Sequence, residues 1–407
     1  MSVIVQKYGG TSVGSIERIR AVSERVRRTK QAGHDVVVVV SAMAGETDRL
    51  LGLAREVSAW PDTRELDMLL ATGEMVSIAL LAIALNESGC EATSFTGTQG
   101  GIVTDEVHSQ ARIKQITPTR LQEALRDGVV PVVAGFQGMN ETQDFTTLGR
   151  GGSDLSAVAL AAALQADVCE IYTDVDGVYS ADPNIVPDAR RLDRISYDEM
   201  LELARLGAKV LQARSVLFAK KYEVPVVVKS SWVEDSEGTL INDPDQDMEQ
   251  EVVAGVAVDK NQAKITLTRL PDRPGIAAKL FGEIARANLV VDMIIQNASE
   301  GGLTDISFTV PRTGAQEALK IAQQTLGDLE AQEATLQTGI AKVSIVGVGM
   351  QSHSGVASRM FEALAAENIN ILMISTSEIK VSCIIQDRYA ELALRTLHDV
   401  FELGERP

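Results

Sequence analysis

Val36-Val37-Val38-Val39-Val40 runs straight into Ser41-Ala42-Met43-Ala44-Gly45-Glu46-Thr47-Asp48. Five successive β-branched residues give a strand no polar side, so both faces must be covered, as in a parallel sheet with helices above and below. The polar loop that follows then lies at the strand's carboxyl end, where open α/β sheets bind their ligands. Outward from this stretch the pattern alternates. Strands are expected at Val3–Gln6, Val129–Ala134, Cys169–Thr173 and Val224–Lys229, and helices at Ser15–Thr29, Glu65–Leu85, Leu155–Leu164 and Tyr197–Ala219. Such alternation predicts an α/β domain with three layers and a mostly parallel sheet.

The bulk properties bound the rest. A chain of 407 residues has room for about two to four domains. Aliphatic cores follow from 45% hydrophobic but only 4% aromatic residues. A net charge of −18 repels nucleic acid, so any phosphate site must be built from a few placed cations and backbone amides. Cys90, Cys169 and Cys383 are odd in number and far apart, which speaks for buried thiols in a reducing compartment rather than disulfides or a zinc site. The chain enters a strand almost at once, with no basic leader, and no fully apolar run approaches about 18 residues. The expectation is a soluble, cytoplasmic protein with neither a membrane nor a nucleic-acid partner.

Four motifs carry chemistry. Lys7-Tyr8-Gly9-Gly10-Thr11-Ser12-Val13-Gly14-Ser15 leaves a strand and enters a helix. Its glycines let amides approach a phosphate, and Lys7 can neutralise phosphoryl oxygens. No Gly-Lys-Ser/Thr closes it and its glycine spacing is not that of a dinucleotide fold; a plain tight turn is the alternative. Thr147-Leu148-Gly149-Arg150-Gly151-Gly152-Ser153-Asp154 offers a guanidinium suited to a carboxylate, with Asp154 placed to hold an ammonium or to fix Lys7. Helix capping accounts for Ser153 and Asp154 but not for three glycines beside an arginine. Glu74, in an otherwise apolar helix, lies either at a solvated edge or against a ligand amine. Thr173-Asp174, Tyr179, Asp182-Pro183 and Gly207-Ala208-Lys209-Val210 suit a nucleotide or a metal, or are ordinary turns.

The C-terminal part contains a repeat. A shift of 80 positions superimposes Gly275 on Gly355, Phe281 on Phe361, Asn288 on Asn368 and Met293 on Met373. Each copy reads strand, glycine loop, helix, strand, strand, helix. The strands are Ile265–Leu270, Val290–Gln296 and Asp305–Val310 in the first, and Val343–Val348, Asn370–Ser375 and Val381–Gln386 in the second. A ferredoxin-like βαββαβ unit needs a fourth strand. The first copy can take it from Ala334–Ile340, but the second has only Phe401–Pro407 left. The spare strand Val252–Val258 must then complete the second copy, which inserts the first into it. The polar stretch Asn242–Glu251 marks the boundary before them. The expected domains are 1–245, a linker and strand at 246–260, and repeats at 261–340 and 341–407.

Taken together, these motifs resemble those of the aspartate kinases of the amino-acid-kinase superfamily, over nearly the whole chain, and the repeat resembles their paired ACT regulatory domains. The resemblance implies transfer of the γ-phosphoryl of ATP, with Mg²⁺, to the β-carboxylate of L-aspartate, the first step toward lysine, threonine and methionine. It places Lys7, Gly9, Gly10, Ser12, Ser41, Thr173, Asp174, Tyr179, Asp182, Lys209 and Val210 around the nucleotide. It places Thr47, Glu74, Arg150, Gly152, Ser153 and Asp154 around the amino acid, with Lys7 and Asp154 as the catalytic pair. The sequence itself reveals no fixed protein ligand for magnesium, which the nucleotide and water can hold. Lysine or threonine, singly or together, would bind at Asp272, Pro274, Gly275, Ile276, Ala277, Gln296 and Asn297, and at Asn370, Ile371, Thr376 and Ser377. The assembly would be a homodimer, or a heterotetramer with separately made regulatory subunits. Asn184 departs from the family, where many relatives carry arginine. Alternatives are a glutamate-type carboxylate kinase, a non-catalytic amino-acid sensor on the same fold, and, more remotely, a dehydrogenase.

Overall fold

The computed structural model describes residues 2–207, 210–234, 236–243, 252–298 and 301–404. Lys209 and most of the expected boundary before the repeat lie outside these residues. The chain divides into two compact units. One holds the chain through Tyr179 and resumes at Arg191; the other holds Ser180–Arg190 and the C-terminal part.

The strands of the first unit are β1 (Val3–Tyr8), β2 (Asp35–Val40), β3 (Ala92–Phe95), β4 (Ile102–Thr104), β5 (Ile113–Ile116), β6 (Val130–Ala134), β7 (Gln137–Met139), β8 (Phe145–Thr147), β9 (Val168–Thr173), β10 (Arg194–Ile195), β11 (Val226–Ser230) and β12 (Thr239–Ile241). Eight form one sheet in the order β10-β12-β11-β9-β1-β2-β6-β3, parallel except where β11 meets β12. The other four form a small sheet, β5-β4-β7-β8.

Seven helices follow the same order: α1 (Ile16–Gln31), α2 (Glu46–Val57), α3 (Thr63–Glu87), α4 (Thr119–Arg126), α5 (Gly152–Leu164), α6 (Tyr197–Arg205) and α7 (Ala213–Lys221). The valine run explains why both faces are covered. Val36, Val38 and Val40 pack with Ile19, Val22 and Val26 of α1 and with Ile78, Leu81 and Leu85 of α3. Val37 and Val39 alternate to the opposite face and are equally without exposure. There α5 packs on β1 and β9.

Three local expectations change. The predicted helix Tyr197–Ala219 is two helices, because Gly207 takes φ +102°, a left-handed value that ends α6. The stretch between the expected strand Val129–Ala134 and the expected helix Leu155–Leu164 contains the β7–β8 hairpin, and Ser153 and Asp154 already belong to the first turn of α5. Helix α3 is long and apolar enough to cross a membrane, yet half of its apolar stretch is buried inside the unit.

The second unit carries β13 (Gly255–Pro271), β14 (Ile294–Ala298), β15 (Leu303–Pro311), β16 (Glu333–Val346), β17 (Met373–Ser377) and β18 (Lys380–Gln386), in the order β14-β15-β13-β16-β18-β17. Its helices are α8 (Ile276–Arg286), α9 (Ala315–Gln324), α10 (Leu326–Leu329), α11 (Val356–Ala366) and α12 (Ala390–Val400). Two strands are each shared by both repeats. The start of β13 pairs with the end of β16 (Gly255↔Val346, Val258↔Val343), and the rest of β13 pairs with the start of β16 and with β15. The spare strand therefore completes the second repeat. It begins at Gly255 rather than Val252 and runs unbroken into the first repeat. Likewise β14 and β17 start a few residues later than expected, at Ile294 and Met373.

Candidate active site

Tyr8 is in register with Val40 and Tyr172, and Val40 with Ala134. Four parallel strands thus end side by side, and the loops that begin at Gly9, Ser41, Gly135 and Asp174 leave one edge of the sheet. This is the crevice at which open α/β sheets bind ligands.

Lys7 lies one residue before the end of β1 and is 8% exposed. Its Nζ is 2.6 Å from Oδ1 of Asp154, in the first turn of α5. Gly9 leaves this ammonium uncovered: a Cβ there would sit 3.5 Å from Nζ. Gly10 approaches the next loop so closely that a Cβ would lie 2.8 Å from the Ala42 carbonyl, and the Ala44 amide donates to Gly10 O at 3.1 Å. Ser12 is buried, and its Oγ has no partner among the described residues.

Glu74 settles an open question from the sequence. It points inward from α3, is 2% exposed, and accepts the Ala42 N–H on Oε1 at 3.1 Å. Its Oε2 has no partner among the described residues, and burial pushes its carboxyl up to about 7.

The arginine loop is held from behind. Gly149 and Gly151 take φ +77° and +71°, placing exposed Arg150 between two left-handed residues. Gly135 packs so tightly on Ser153 that a Cβ would meet its Oγ at 2.8 Å. Three supports were not anticipated. Asp67, fully buried on α3, accepts the Thr147 N–H at 3.0 Å and the Thr147 hydroxyl at 2.6 Å, as well as the Ser109 N–H, and faces His108 Nδ1 at 2.9 Å. Arg214 donates to the Leu148 and Ala111 carbonyls at 2.8 and 2.9 Å. Gln212 presses on the loop where Gly151 has no side chain. A polar residue inside the apolar face of α3 was the available signal for Asp67; Arg214 and Gln212 carried none.

The structure therefore brings Lys7, Gly9, Gly10, Ser12, Ser41, Glu74, Ser153 and Asp154 to neighbouring strand ends and loops. Thr47 is half-buried in the first turn of α2. On the neighbouring strand, the Thr173 hydroxyl donates to Asp174 Oδ1 at 3.1 Å, while Ser231 donates twice to the Thr173 carbonyl. The Tyr179 hydroxyl donates to Asp176 Oδ1 at 2.6 Å. Asp182 belongs to the segment counted with the second unit. There its Oδ1 accepts the backbone and side-chain N–H groups of Asn184, at 2.9 and 3.0 Å. Val210 is half-buried.

A buried cation paired at strand ends, glycine loops beside it and an inward carboxyl suit a reaction that brings two anions together. The comparisons agree with this chemistry. Residues 2–230 match the amino acid kinase family, and residues 264–326 and 343–401 match ACT domains. The chain is 56% identical over 405 residues to an aspartokinase of Pseudomonas aeruginosa, covering 99% of this chain and 98% of that protein. It belongs to the aspartate kinases. Their architecture extends over the full chain. E. coli aspartokinase III solved with aspartate and ADP is 28% identical and matches with a TM-score of 0.82, covering 98% of this chain and 99% of that one. The same E. coli enzyme solved with lysine and aspartate matches with a TM-score of 0.77, covering 99% of this chain and 100% of that one. As an aspartate kinase the chain is a phosphotransferase with a carboxyl acceptor, composed of a kinase domain and two ACT domains.

Proposed function

We propose that the strand-end crevice transfers the γ-phosphoryl of ATP to the β-carboxylate of L-aspartate, giving 4-phospho-L-aspartate. The observation that carries this reading is the buried Lys7–Asp154 pair beneath Gly9. The attacking carboxylate is already ionised at neutral pH, so no general base is needed. Catalysis rests on positioning and on charge stabilisation. Lys7, with Gly9, Gly10, Ser12 and Ser41, faces the phosphates, and Asp154 aims the ammonium. Arg150 takes the substrate α-carboxylate. Glu74 meets its ammonium, with Thr47, Gly152 and Ser153 around it. Thr173, Asp174, Tyr179, Lys209 and Val210 surround the nucleotide.

ATP is used with Mg²⁺, which supplies charge neutralisation on the phosphates. The donor set at the strand ends suits an ion held mainly by phosphate oxygens and water: Asp154 is engaged by Lys7, and Asp174 by Thr173. The product feeds lysine, threonine and methionine synthesis in the cytoplasm, a setting in keeping with three buried free thiols.

Lysine or threonine regulates through the ACT unit. Exposed Asp272 precedes Pro274 and Gly275, and Gly275, at φ +98°, opens α8 with Ile276 and Ala277. Gln296 and Asn297 lie on edge strand β14, Thr376 and Ser377 on edge strand β17, and Asn370-Ile371 just before it. Two sheet edges that are unpaired among the described residues suit assembly with a second chain, as a homodimer or with separate regulatory subunits. The deciding experiment is ADP release with Mg·ATP, comparing aspartate with glutamate. Turnover with aspartate is expected to exceed that with glutamate by at least about tenfold; equal rates would move the assignment to a broader carboxylate kinase, and none with either to a sensor.

A further inference from the structure

The second unit contains a cavity of about 930 Å³, whose lining includes Asp188, Arg190, His398, Asp399, Leu403 and Gly404. All belong to this unit, because Ser180–Arg190 is counted with it. Ala189 bridges to Gly404, which brings Asp188 over the end of α12.

The proton positions around His398 follow from its neighbour. Ser180 Oγ has one proton to give. It contacts the Leu403 carbonyl at 3.0 Å, which can only accept, and it accepts the Arg190 N–H at 3.1 Å. Its remaining contact, 3.1 Å to His398 Nε2, must then be an N–H donated by the imidazole. In the neutral ring the lone pair is then on Nδ1. His398 is fully buried, and Nδ1 has no hydrogen-bond partner among the described residues.

Two carboxylates lie beside Nδ1, and the Arg190 side chain lines the same cavity. Asp399 Oδ1 is 4.0 Å away, and ligand atoms of Asp188, His398 and Asp399 all lie within 4.8 Å of one another. Gly404 leaves the space open: a Cβ there would come within 3.2 Å of Asp188 Oδ2 and 3.8 Å of His398 Cε1. A buried imidazole nitrogen without a hydrogen-bond partner, together with two carboxylates at this spacing, forms a ligand set for a cation. Ligands about 2.1 Å from a common ion stand up to about 4.2 Å apart, so two exposed carboxylates need only a small inward turn.

We propose that Asp188, His398 Nδ1 and Asp399 bind a divalent first-row metal cation. One imidazole with two carboxylates suits zinc or manganese better than magnesium or calcium, which prefer all-oxygen sets. The Ser180–His398 hydrogen bond sets the ligating tautomer. Binding would tie Ser180–Arg190, the segment that carries Asp182 and continues covalently from Tyr179, to α12.

The test uses the full-length chain, stripped of metal and free of nucleotide. Zn²⁺ is titrated against a chromophoric chelator, and Mn²⁺ is followed by electron paramagnetic resonance. One ion per chain is expected, with nitrogen coupling from a single imidazole in the manganese spectrum. Asp399→Asn and Asp188→Asn change exposed residues and should weaken binding at least about tenfold while the melting temperature of the metal-free chain stays the same. His398→Gln should remove the nitrogen coupling. Bound metal should slow amide exchange in residues 180–190. Binding only at the level expected of scattered surface carboxylates, equal in wild type and both Asp variants, would overturn the proposal. So would a stoichiometric site without nitrogen coupling.

Discussion

Lys7 Nζ and Asp154 Oδ1 stand 2.6 Å apart, each side chain only 10% exposed, although 147 positions separate them in the chain. The ion pair ties the end of β1 to the first turn of α5 and holds the ammonium beneath Gly9. In the proposed role, a cation fixed in this way is already oriented when charge shifts on a phosphoryl group, and its contribution would belong to the transition state. Lys7→Ala is expected to lower kcat by about 10²–10³ with a much smaller change in KM for aspartate. Steady-state kinetics at saturating Mg·ATP measure both; near-normal kcat would remove Lys7 from catalysis.

With Glu74 against the substrate amine, as proposed, aspartate binding is expected to depend on pH. Its carboxyl ionises from the ordinary 4.5 in an unfolded chain and near 7 in the folded one, with desolvation as the main cause. Between those values the folded protein holds the extra proton, so this group's contribution to stability falls as pH rises from 4.5 through 7. A substrate ammonium reverses the preference by favouring the carboxylate. KM for aspartate should therefore rise as pH falls below about 7, and binding near neutrality should release a proton, seen as a buffer-dependent enthalpy in calorimetry. Glu74→Gln should bind more weakly but lose both pH effects. A pH-independent KM in the wild type would contradict the placement of Glu74 against the amine.

Asp67 should act on the active site without touching it. It holds the Thr147 amide and hydroxyl and the Ser109 amide, and Thr147 leads directly into the arginine loop. Asp67→Ala leaves buried donors unpaired, and a loss of about 3 kcal/mol in unfolding free energy is expected by urea titration. The loop's position should loosen as well, so KM for aspartate should rise at temperatures where the variant is fully folded. A purely structural residue would change the first readout and not the second.

Gly151 tests the contact between the arginine loop and the segment that follows Lys209 and Val210. At φ +71°, any side chain costs about 1–2 kcal/mol, and a Cβ would overlap Gln212 at 1.8 Å from Cγ. Gly151→Ala should raise KM for aspartate several-fold. Gln212→Ala in the same chain should recover part of that loss, since it relieves the overlap but not the backbone strain. No recovery would mean that the strained dihedral alone carries the effect.

What the sequence disclosed depended on whether the signal was local. Five valines in a row announce a strand buried on both faces, and the glycines at 9 and 10 announce close backbone approach. The 80-residue repeat announced a missing strand, which Gly255–Asp259 supplies. Asp67 was opaque because its partners are about 40 and 80 positions away, so nothing near it in the chain shows why a carboxyl belongs inside an apolar helix. Asp259-Lys260-Asn261-Gln262 reads as a polar break between two strands. Instead β13 passes through with register shifts, and the backbone of Asp259 lies in register with Lys342 on β16. Only the pairing of both repeats along β16 makes that continuous strand favourable, and no local window contains it.

The edges of the regulatory sheet give the last prediction. Ile294 on β14 and Ile374 on β17 are 53% and 42% exposed, and both strands have one side unpaired among the described residues. An apolar, unpaired edge is a pairing template, and natural sheets otherwise blunt it with charge. If a second chain covers these edges, Ile294→Lys and Ile374→Lys should shift the protein toward monomer in sedimentation velocity at micromolar concentration. Because effector candidates Gln296, Asn297, Thr376 and Ser377 lie on the same strands, the variants should also lose inhibition by millimolar lysine or threonine, while activity without effector stays within about twofold. An unchanged sedimentation profile in both variants would locate the assembly surface elsewhere on the chain, and unchanged inhibition would separate the effector sites from these edges.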